Sequence, residues 1–149
     1  MSSAQVHVLY ENPDWLPPLE AAFRAEAVNY RLVELSEGTI DPHLAPEPGL
    51  YLNRMSPSSH TRGHGQSVDL TVEWLAWLEH HGAPVINGSR AFALEVSKLR
   101  QDLVLRKHGI DTPETVLAVG VDALVEASRR FEGRRFITKH NQGGKGLGI

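Results

Sequence analysis

The residues most capable of chemistry lie near the end of the sequence, in residues 141–149 (N-Q-G-G-K-G-L-G-I). Four of these residues are glycines, and glycine lets backbone N–H groups approach a phosphate closely. Lys145 lies inside this segment and Lys139 stands just before it, so positive charge surrounds the place where a polyphosphate would bind. The pattern predicts a phosphate-binding loop, and a flexible glycine-rich tail is the alternative.

Two familiar phosphate-binding motifs do not fit this segment. The P-loop requires Ser or Thr after its lysine, whereas Lys145 is followed by Gly146. The dinucleotide fingerprint G-x-G-x-x-G does not match the glycine positions here. It is also missing after the first predicted strand, where residues 10–13 read Y-E-N-P. A Rossmann-type dehydrogenase is therefore disfavoured, and we expect a loop between two strands.

A polar loop, residues 53–65 (N-R-M-S-P-S-S-H-T-R-G-H-G), follows the third predicted strand. Open α/β sheets bind ligands at the carboxyl ends of their strands. Arg54 and Arg62 are suited to bidentate contacts with a substrate carboxylate, and Ser56 lies between them. We interpret Arg54, Ser56 and Arg62 as substrate-binding residues, with a solvated surface loop as the alternative.

Two histidines in this loop, His60 and His64, have a spacing that could suggest a metal pair. Ligands at that spacing must lie on a helix to share a metal, and Gly63 and Gly65 disfavour a helix. We therefore assign no metal ligand in this sequence.

Alternating strands and helices must position these residues. The helix predicted at residues 68–81 has an apolar stripe of Val68, Val72, Leu75 and Leu78. Strands joined by crossover helices imply a mostly parallel, Rossmann-like sheet. The remaining elements predicted in this half are strands at residues 5–10, 30–35, 50–55 and 84–86, and a helix near Pro17 and Pro18.

The pattern changes after Gly88, where we place a boundary between domains 1–88 and 89–149. Ser89 is predicted to cap one long helix that runs to residue 108 and ends at Gly109. Lys98 lies beside the apolar stripe of this helix, where a lysine is ordinarily solvated. A strand at 115–119, a helix at 122–131 and a strand at 135–140 then lead into the glycine-rich loop.

Four segments occur in a characteristic order: V-I-N-G at 85–88, Lys98, G-I-D-T-P at 109–113, and F-I-T-K at 136–139 before the glycine loop. In this order the sequence resembles the ATP-grasp superfamily, and within it the RimK-like amino-acid ligases. The resemblance implies an α/β fold: a Rossmann-like preATP-grasp domain with a mostly parallel sheet, then an incomplete α+β ATP-grasp N-terminal lobe. We expect the chain to be truncated inside the glycine-rich loop.

The resemblance also implies roles for the basic residues. Lys98 and Lys139 would contact the ATP phosphates. The lid over the triphosphate would be formed by residues 142–148, of which we assign Gln142, Gly143, Gly144, Lys145 and Gly146 to ATP binding.

The family reaction is ATP-dependent carboxylate–amine ligation. ATP phosphorylates a carboxylate, and an amine then displaces phosphate from the acyl phosphate. The partners implied are ATP and a carboxylate and an amine, such as amino acids or peptides. The Mg²⁺ ligands are expected beyond residue 149, so the fragment alone is expected to be inactive and no catalytic residue is assigned.

Composition limits the other function classes. The 149 residues include 15 Lys and Arg against 18 Asp and Glu, a net charge of −3, so we expect no nucleic-acid partner. The absence of cysteine excludes thiol catalysis and Cys-based zinc sites. No signal peptide is recognisable, and no apolar run reaches the ~20 residues that span a bilayer. We expect a cytoplasmic protein without a membrane partner, and leave its oligomeric state open, a homo-oligomer included.

The alternative to a ligase is a non-catalytic binding or regulatory module derived from the preATP-grasp fold. An open reading frame that continues past Ile149 with Asp, Glu and Asn metal ligands would favour the enzyme. A natural stop codon at that point would favour the module.

Overall fold

The structure is a computed structural model and describes residues 5–142. The chain separates into two compact units, Met1–Val96 and Ser97–Ile149. The helix that begins at Ser89 belongs to the first unit, whereas the sequence places the domain boundary before it, near Gly88. That the two units correspond to the two domains of an ATP-grasp protein stays a prediction.

The first unit is built on a four-stranded sheet in the order β2-β1-β3-β4, in which every pairing is parallel. This confirms the predicted α/β class. Each of the four strands predicted in this unit is present, and its bounds differ from the prediction by at most two residues at one end. The elements are β1 (Val6–Tyr10), α1 (Pro17–Ala25), β2 (Tyr30–Glu34), β3 (Leu50–Asn53), α2 (Ser67–His80), β4 (Val85–Ile86) and α3 (Ser89–Glu95), with single 3₁₀ turns at Pro13–Trp15 and Ser59–Arg62.

The core of the first unit lies between the sheet and α2. Leu9 from β1 and Leu75 and Leu78 from α2 are fully buried. The predicted stripe of α2 is wrong at Val72, which is 45% exposed. Thr71 is buried in its place and satisfies its hydroxyl by donating to the Ser67 carbonyl at 2.7 Å. A threonine can face a core when its own helix accepts its hydrogen bond.

The start of β3 requires a glycine at position 49. A Cβ atom there would lie 2.5 Å from the Gln5 carbonyl oxygen and 2.7 Å from the His7 ring. His7 is itself buried and stacks on Tyr51, with ring centroids 4.6 Å apart. Close approach of β3 to β1 therefore depends on the missing side chain.

The V-I-N-G segment, which leads from β4 into α3, is tied to the end of β3 by side-chain hydrogen bonds. Asn53 and Asn87 each donate from their amide to the other's backbone carbonyl, at 3.0 and 3.2 Å. The predicted capping role of Ser89 is wrong, because Ser89 is the first helical residue and the N-cap is Gly88. The Glu79 carboxylate satisfies this helix end, accepting from the Ser89 N–H and hydroxyl at 2.7 Å each.

The second unit contains α4 (Lys98–Lys107) and α5 (Val121–Arg129). The single helix predicted at 89–108 is wrong, because the chain becomes extended at Ser97, which caps α4 by accepting from the Arg100 N–H at 3.3 Å. Gly109, at φ +71°, ends α4 as predicted.

The strands predicted at 115–119 and 135–140 are not formed. A strand exists only when a neighbouring strand accepts and donates its ladder hydrogen bonds. Neither segment has such a neighbour among residues 5–142.

Within the described residues, no helix combines the length and apolar character needed to cross a membrane.

Candidate functional sites in the two units

The carboxyl ends of β1 and β3 mark the place where the strand order of the sheet reverses. From the central strand β1 the chain goes first to β2 on one side and later to β3 on the other. A crevice forms at such a switch point, and open α/β sheets bind ligands there. Glu11 directly follows β1, and Arg54 directly follows β3. The Arg54 N–H donates to the Leu9 carbonyl at 2.8 Å.

Glu11 is the centre of a cluster at this edge, and its side chain is fully buried. Arg62 donates to both of its oxygens, from Nε to Oε1 at 3.0 Å and from Nη2 to Oε2 at 2.6 Å. His64 Nδ1 lies 2.7 Å from Oε1. A buried carboxylate without such partners would be strongly destabilising.

Arg62 is fixed by further contacts. Its Nη1 donates to Ser58 Oγ at 3.2 Å, and its guanidinium lies 5.2 Å from the centre of the Trp15 ring. A guanidinium has five N–H groups, so these contacts leave one on each terminal nitrogen without a hydrogen bond to a described residue. These two N–H groups form the outer edge of Arg62, whose side chain is 25% exposed.

The charges of the cluster stabilise one another. Burial raises the pKa of the Glu11 carboxyl, but the hydrogen bonds from Arg62 and His64 and the charge of Arg62 outweigh burial, so its net pKa is lowered. The hydrogen bonds to Glu11 raise the pKa of the Arg62 guanidinium. Glu11 is therefore an anion in the folded protein at neutral pH.

The three predicted substrate-binding residues occupy different environments. Arg54 is exposed and its side chain makes no hydrogen bond or ion pair within residues 5–142. Ser56 is buried, and its hydroxyl bonds the Ser58 hydroxyl at 2.8 Å and accepts from the Ser58 N–H at 3.2 Å. Arg62 is engaged by Glu11. The structure thus places Arg54 and Arg62 on one loop, with Ser56 inside it.

Glu11, the centre of this cluster, was not singled out by the sequence analysis. It stands in Y-E-N-P, which served only to exclude a dinucleotide fingerprint. An acidic residue immediately after the first strand of a parallel sheet was the available signal, because that position lies at the carboxyl edge of the sheet.

The two histidines of the loop have separate partners. His60 Nδ1 lies 3.2 Å from the Pro57 carbonyl, whereas His64 contacts Glu11. Residues 5–142 contain no group of three or more His, Cys, Asp or Glu side chains that could hold a metal ion.

The second candidate site joins the start of α4 to the chain just before the glycine loop. The Lys98 N–H donates to the Asn141 carbonyl and the Leu99 N–H to Asn141 Oδ1, both at 3.0 Å. Asn141 Nδ2 donates to Ser97 Oγ at 3.2 Å. With the Ser97 cap on Arg100, these contacts occupy the N–H groups of the first helical turn.

The predicted ATP-binding residues are brought together in part. Lys98 is half-buried at the start of α4, and its N–H donates to the Asn141 carbonyl. Lys139 is exposed and lies two positions before Asn141 in the sequence. Gln142 is half-buried beside this junction. Gly143, Gly144, Lys145 and Gly146 lie outside the described residues.

A solved structure has the same fold: a RimK domain ATP-grasp protein from Sphaerobacter thermophilus DSM 20745, with a TM-score of 0.63 and 22% sequence identity. The match covers 87% of this chain and 48% of that chain, so the chain spans about half the length of its structural neighbour. No family model and no curated protein matches the sequence.

Proposed function

We propose that this chain is the N-terminal portion of an ATP-dependent carboxylate–amine ligase. The observation that carries the proposal is the junction at Asn141, which ties the start of the glycine-rich loop to the helix of Lys98. The fold shared with an ATP-grasp protein supports the same assignment.

The ATP side of the reaction is assigned to the second unit. Lys98 and Lys139 would contact the ATP phosphates, with Gln142, Gly143, Gly144, Lys145 and Gly146 as the covering loop. Phosphoryl transfer depends mainly on positioning and on fixed positive charge around the γ-phosphate. A loop that excludes water would protect an acyl phosphate from hydrolysis.

The substrate side is assigned to the loop of the first unit. Arg54, with no partner among the described residues, supplies net positive charge for a carboxylate. Arg62 adds donors from its outer edge, and Ser56 supports the loop between them. The substrates in this proposal are a carboxylate and an amine, such as amino acids or peptides.

The remaining assignments follow from the ligase proposal. Mg²⁺ would be bound by residues beyond position 149, so the 149-residue chain alone is expected to turn over no ATP. We assign the protein to the cytoplasm, with no nucleic-acid or membrane partner and with a homo-oligomer left open.

A second candidate, a non-catalytic binding or regulatory module, has one observation in its favour. Large apolar side chains of the second unit are exposed, including Val119 at 85% and Val121 at 77%. Exposed apolar residues mark an interaction site where they form one contiguous patch.

ATP binding by the purified chain tests the ligase proposal. Lys98→Ala and Lys139→Ala should each weaken binding by roughly one to two orders of magnitude, because a charge-assisted contact contributes about 1.5–3 kcal/mol. Lys107→Ala is the matched control, since Lys107 is an exposed lysine at the other end of α4. Equal affinities in all three variants would contradict the ATP assignment.

A further inference from the structure

His64 has one ring nitrogen bound to a buried carboxylate and the other free of described partners. Its Nδ1 is 2.7 Å from Glu11 Oε1, while its side chain is 39% exposed. An ionised carboxylate accepts hydrogen bonds and donates none, so the neutral imidazole must carry its proton on Nδ1. Its Nε2 then holds a lone pair and makes no hydrogen bond within residues 5–142.

The carboxylate that sets this tautomer is itself immobilised. Arg62 binds both oxygens of Glu11 and is held in turn by Ser58 and by the Trp15 ring. Rotation of the carboxylate away from His64 would break both Arg62 hydrogen bonds. Arg62 also balances the charge of Glu11, so the anion persists in a fully buried position.

We propose that Glu11 is a positioning residue that fixes His64 as a proton acceptor, with Nε2 directed to a ligand that bears N–H groups. The identity of this ligand, an ammonium or amine substrate, rests on the proposed function. When an ammonium group transfers its proton to Nε2, a neutral amine and an imidazolium result, and the imidazolium keeps its Nδ1–H bond to Glu11. A carboxylate that orients a histidine and stabilises its protonated form is an established device for proton transfer.

A neighbouring histidine provides a matched control. His60 lies in the same loop and directs its Nδ1 to the Pro57 carbonyl at 3.2 Å. That acceptor is neutral, so His60 also has an oxygen acceptor at Nδ1 but lacks the buried negative charge. Any property that depends on Glu11 should therefore distinguish the two rings.

The first measurement needs no substitution in the site. Long-range proton–nitrogen correlation spectra of the isotope-labelled 149-residue chain report which ring nitrogen carries the proton. Spectra of His64→Gln and His60→Gln assign the two rings. We expect neutral His64 to carry its proton on Nδ1, and a proton on Nε2 would overturn the proposal.

The second measurement uses methylammonium chloride as an amine-class probe. We expect the Nε2 resonance of His64 to shift on titration, and that of His60 to shift less. In Glu11→Gln, which keeps the side-chain shape and removes the charge, the response of His64 should fall to that of His60. Glu47→Gln is the control, because Glu47 also binds an arginine through both oxygens but is exposed.

A His64 response no larger than that of His60 in the wild-type chain, or an unchanged response in folded Glu11→Gln, would overturn the proposal. If Glu11→Gln does not fold, the wild-type comparison of the two rings decides. Sodium acetate separates this inference from the proposed function. If acetate leaves the Arg54 side-chain resonance unchanged while methylammonium shifts His64, the carboxylate assignment of Arg54 fails and the role of Glu11 stands.

Discussion

The two units of the chain differ in the burial of their apolar side chains. Every buried hydrophobic side chain of the described residues belongs to the first unit, from Val8 to Phe92. In the second unit, Leu103, Val119, Val121 and Ile137 are all more than half exposed. The first unit completes its own core, because its parallel sheet is covered by helices. The described part of the second unit presents apolar faces that its own residues do not cover.

The same contrast applies to polar groups. The first unit encloses a carboxylate and satisfies it with two side chains from a distant loop, whereas the ion pairs of the second unit are exposed, such as Arg130–Glu114. Buried pairs are strongly coupled to folding and exposed ones are weakly coupled. We therefore expect substitutions in the two units to differ in their effect on stability.

The largest difference should come from leucine truncation. Leu75→Ala removes a fully buried side chain from the first unit and should lower the free energy of unfolding by about 2–5 kcal/mol. Leu103→Ala, at 57% exposure in the second unit, should change it by less than about 0.5 kcal/mol. Urea unfolding of both variants tests the comparison, and equal losses would contradict it.

A side chain at position 49 should produce the next largest effect. Gly49→Ala places a Cβ atom against the backbone of β1 and should lower the free energy of unfolding by about 1–3 kcal/mol through overpacking. Gly65→Ala is the matched control, because a Cβ there meets no atom within 4 Å. Thermal unfolding of the two variants measures the difference, and a fully stable Gly49→Ala would show that β1 and β3 can separate without cost.

The next effect is the contribution of the buried Glu11 carboxylate to the pH dependence of stability, measured by comparing wild type with Glu11→Gln. The pKa of Glu11 is lower in the folded chain than its ordinary value, so its contribution is present above the unfolded-state pKa. That contribution is lost as the pH falls through the folded-state pKa. Urea unfolding across the acidic range should show that the free energy of unfolding falls less steeply with decreasing pH in Glu11→Gln than in wild type. A parallel pH profile for the two proteins would refute the assignment.

The smallest effect is expected at the junction of the second unit. Asn141→Ala removes side-chain hydrogen bonds to Leu99 and Ser97 and should reduce stability by about 1 kcal/mol. Its effect on ATP affinity should be larger than that of Asn29→Ala, a substitution in the first unit. Calorimetric titration with ATP compares the two, and identical affinities would remove the junction from the site.

The parallel sheet could be predicted from the sequence, because the composition of each strand and the helices between strands are local patterns. The sequence could not pair Glu11 with Arg62, because 51 positions separate them and neither local pattern requires the contact. It also missed the break at Ser97, where a capping residue ends an otherwise continuous apolar pattern. The strands predicted at 115–119 and 135–140 are wrong for a related reason. Their composition favours β structure, but a strand also needs a partner.

The same reasoning explains what was foreseen at the candidate sites. Glycine and lysine patterns led to the phosphate-binding prediction for residues 142–148, which stays a prediction, and the loop after β3 led to Arg54 and Arg62. Neither pattern indicates which donors are already occupied. The hydrogen bonds of Asn141 and Glu11 join residues more than 40 positions apart, so they depend on the three-dimensional fold.

The central claim is that the second unit carries the ATP-binding residues, and residue-resolved titration with ATP tests it most directly. Backbone amide resonances of the isotope-labelled chain should shift at Lys98, Lys139 and Asn141 as ATP is added. The amides of Glu11, Arg54 and Arg62 should remain unchanged. Shifts confined to these last three residues, or no shift at Lys98 and Lys139, would contradict the account.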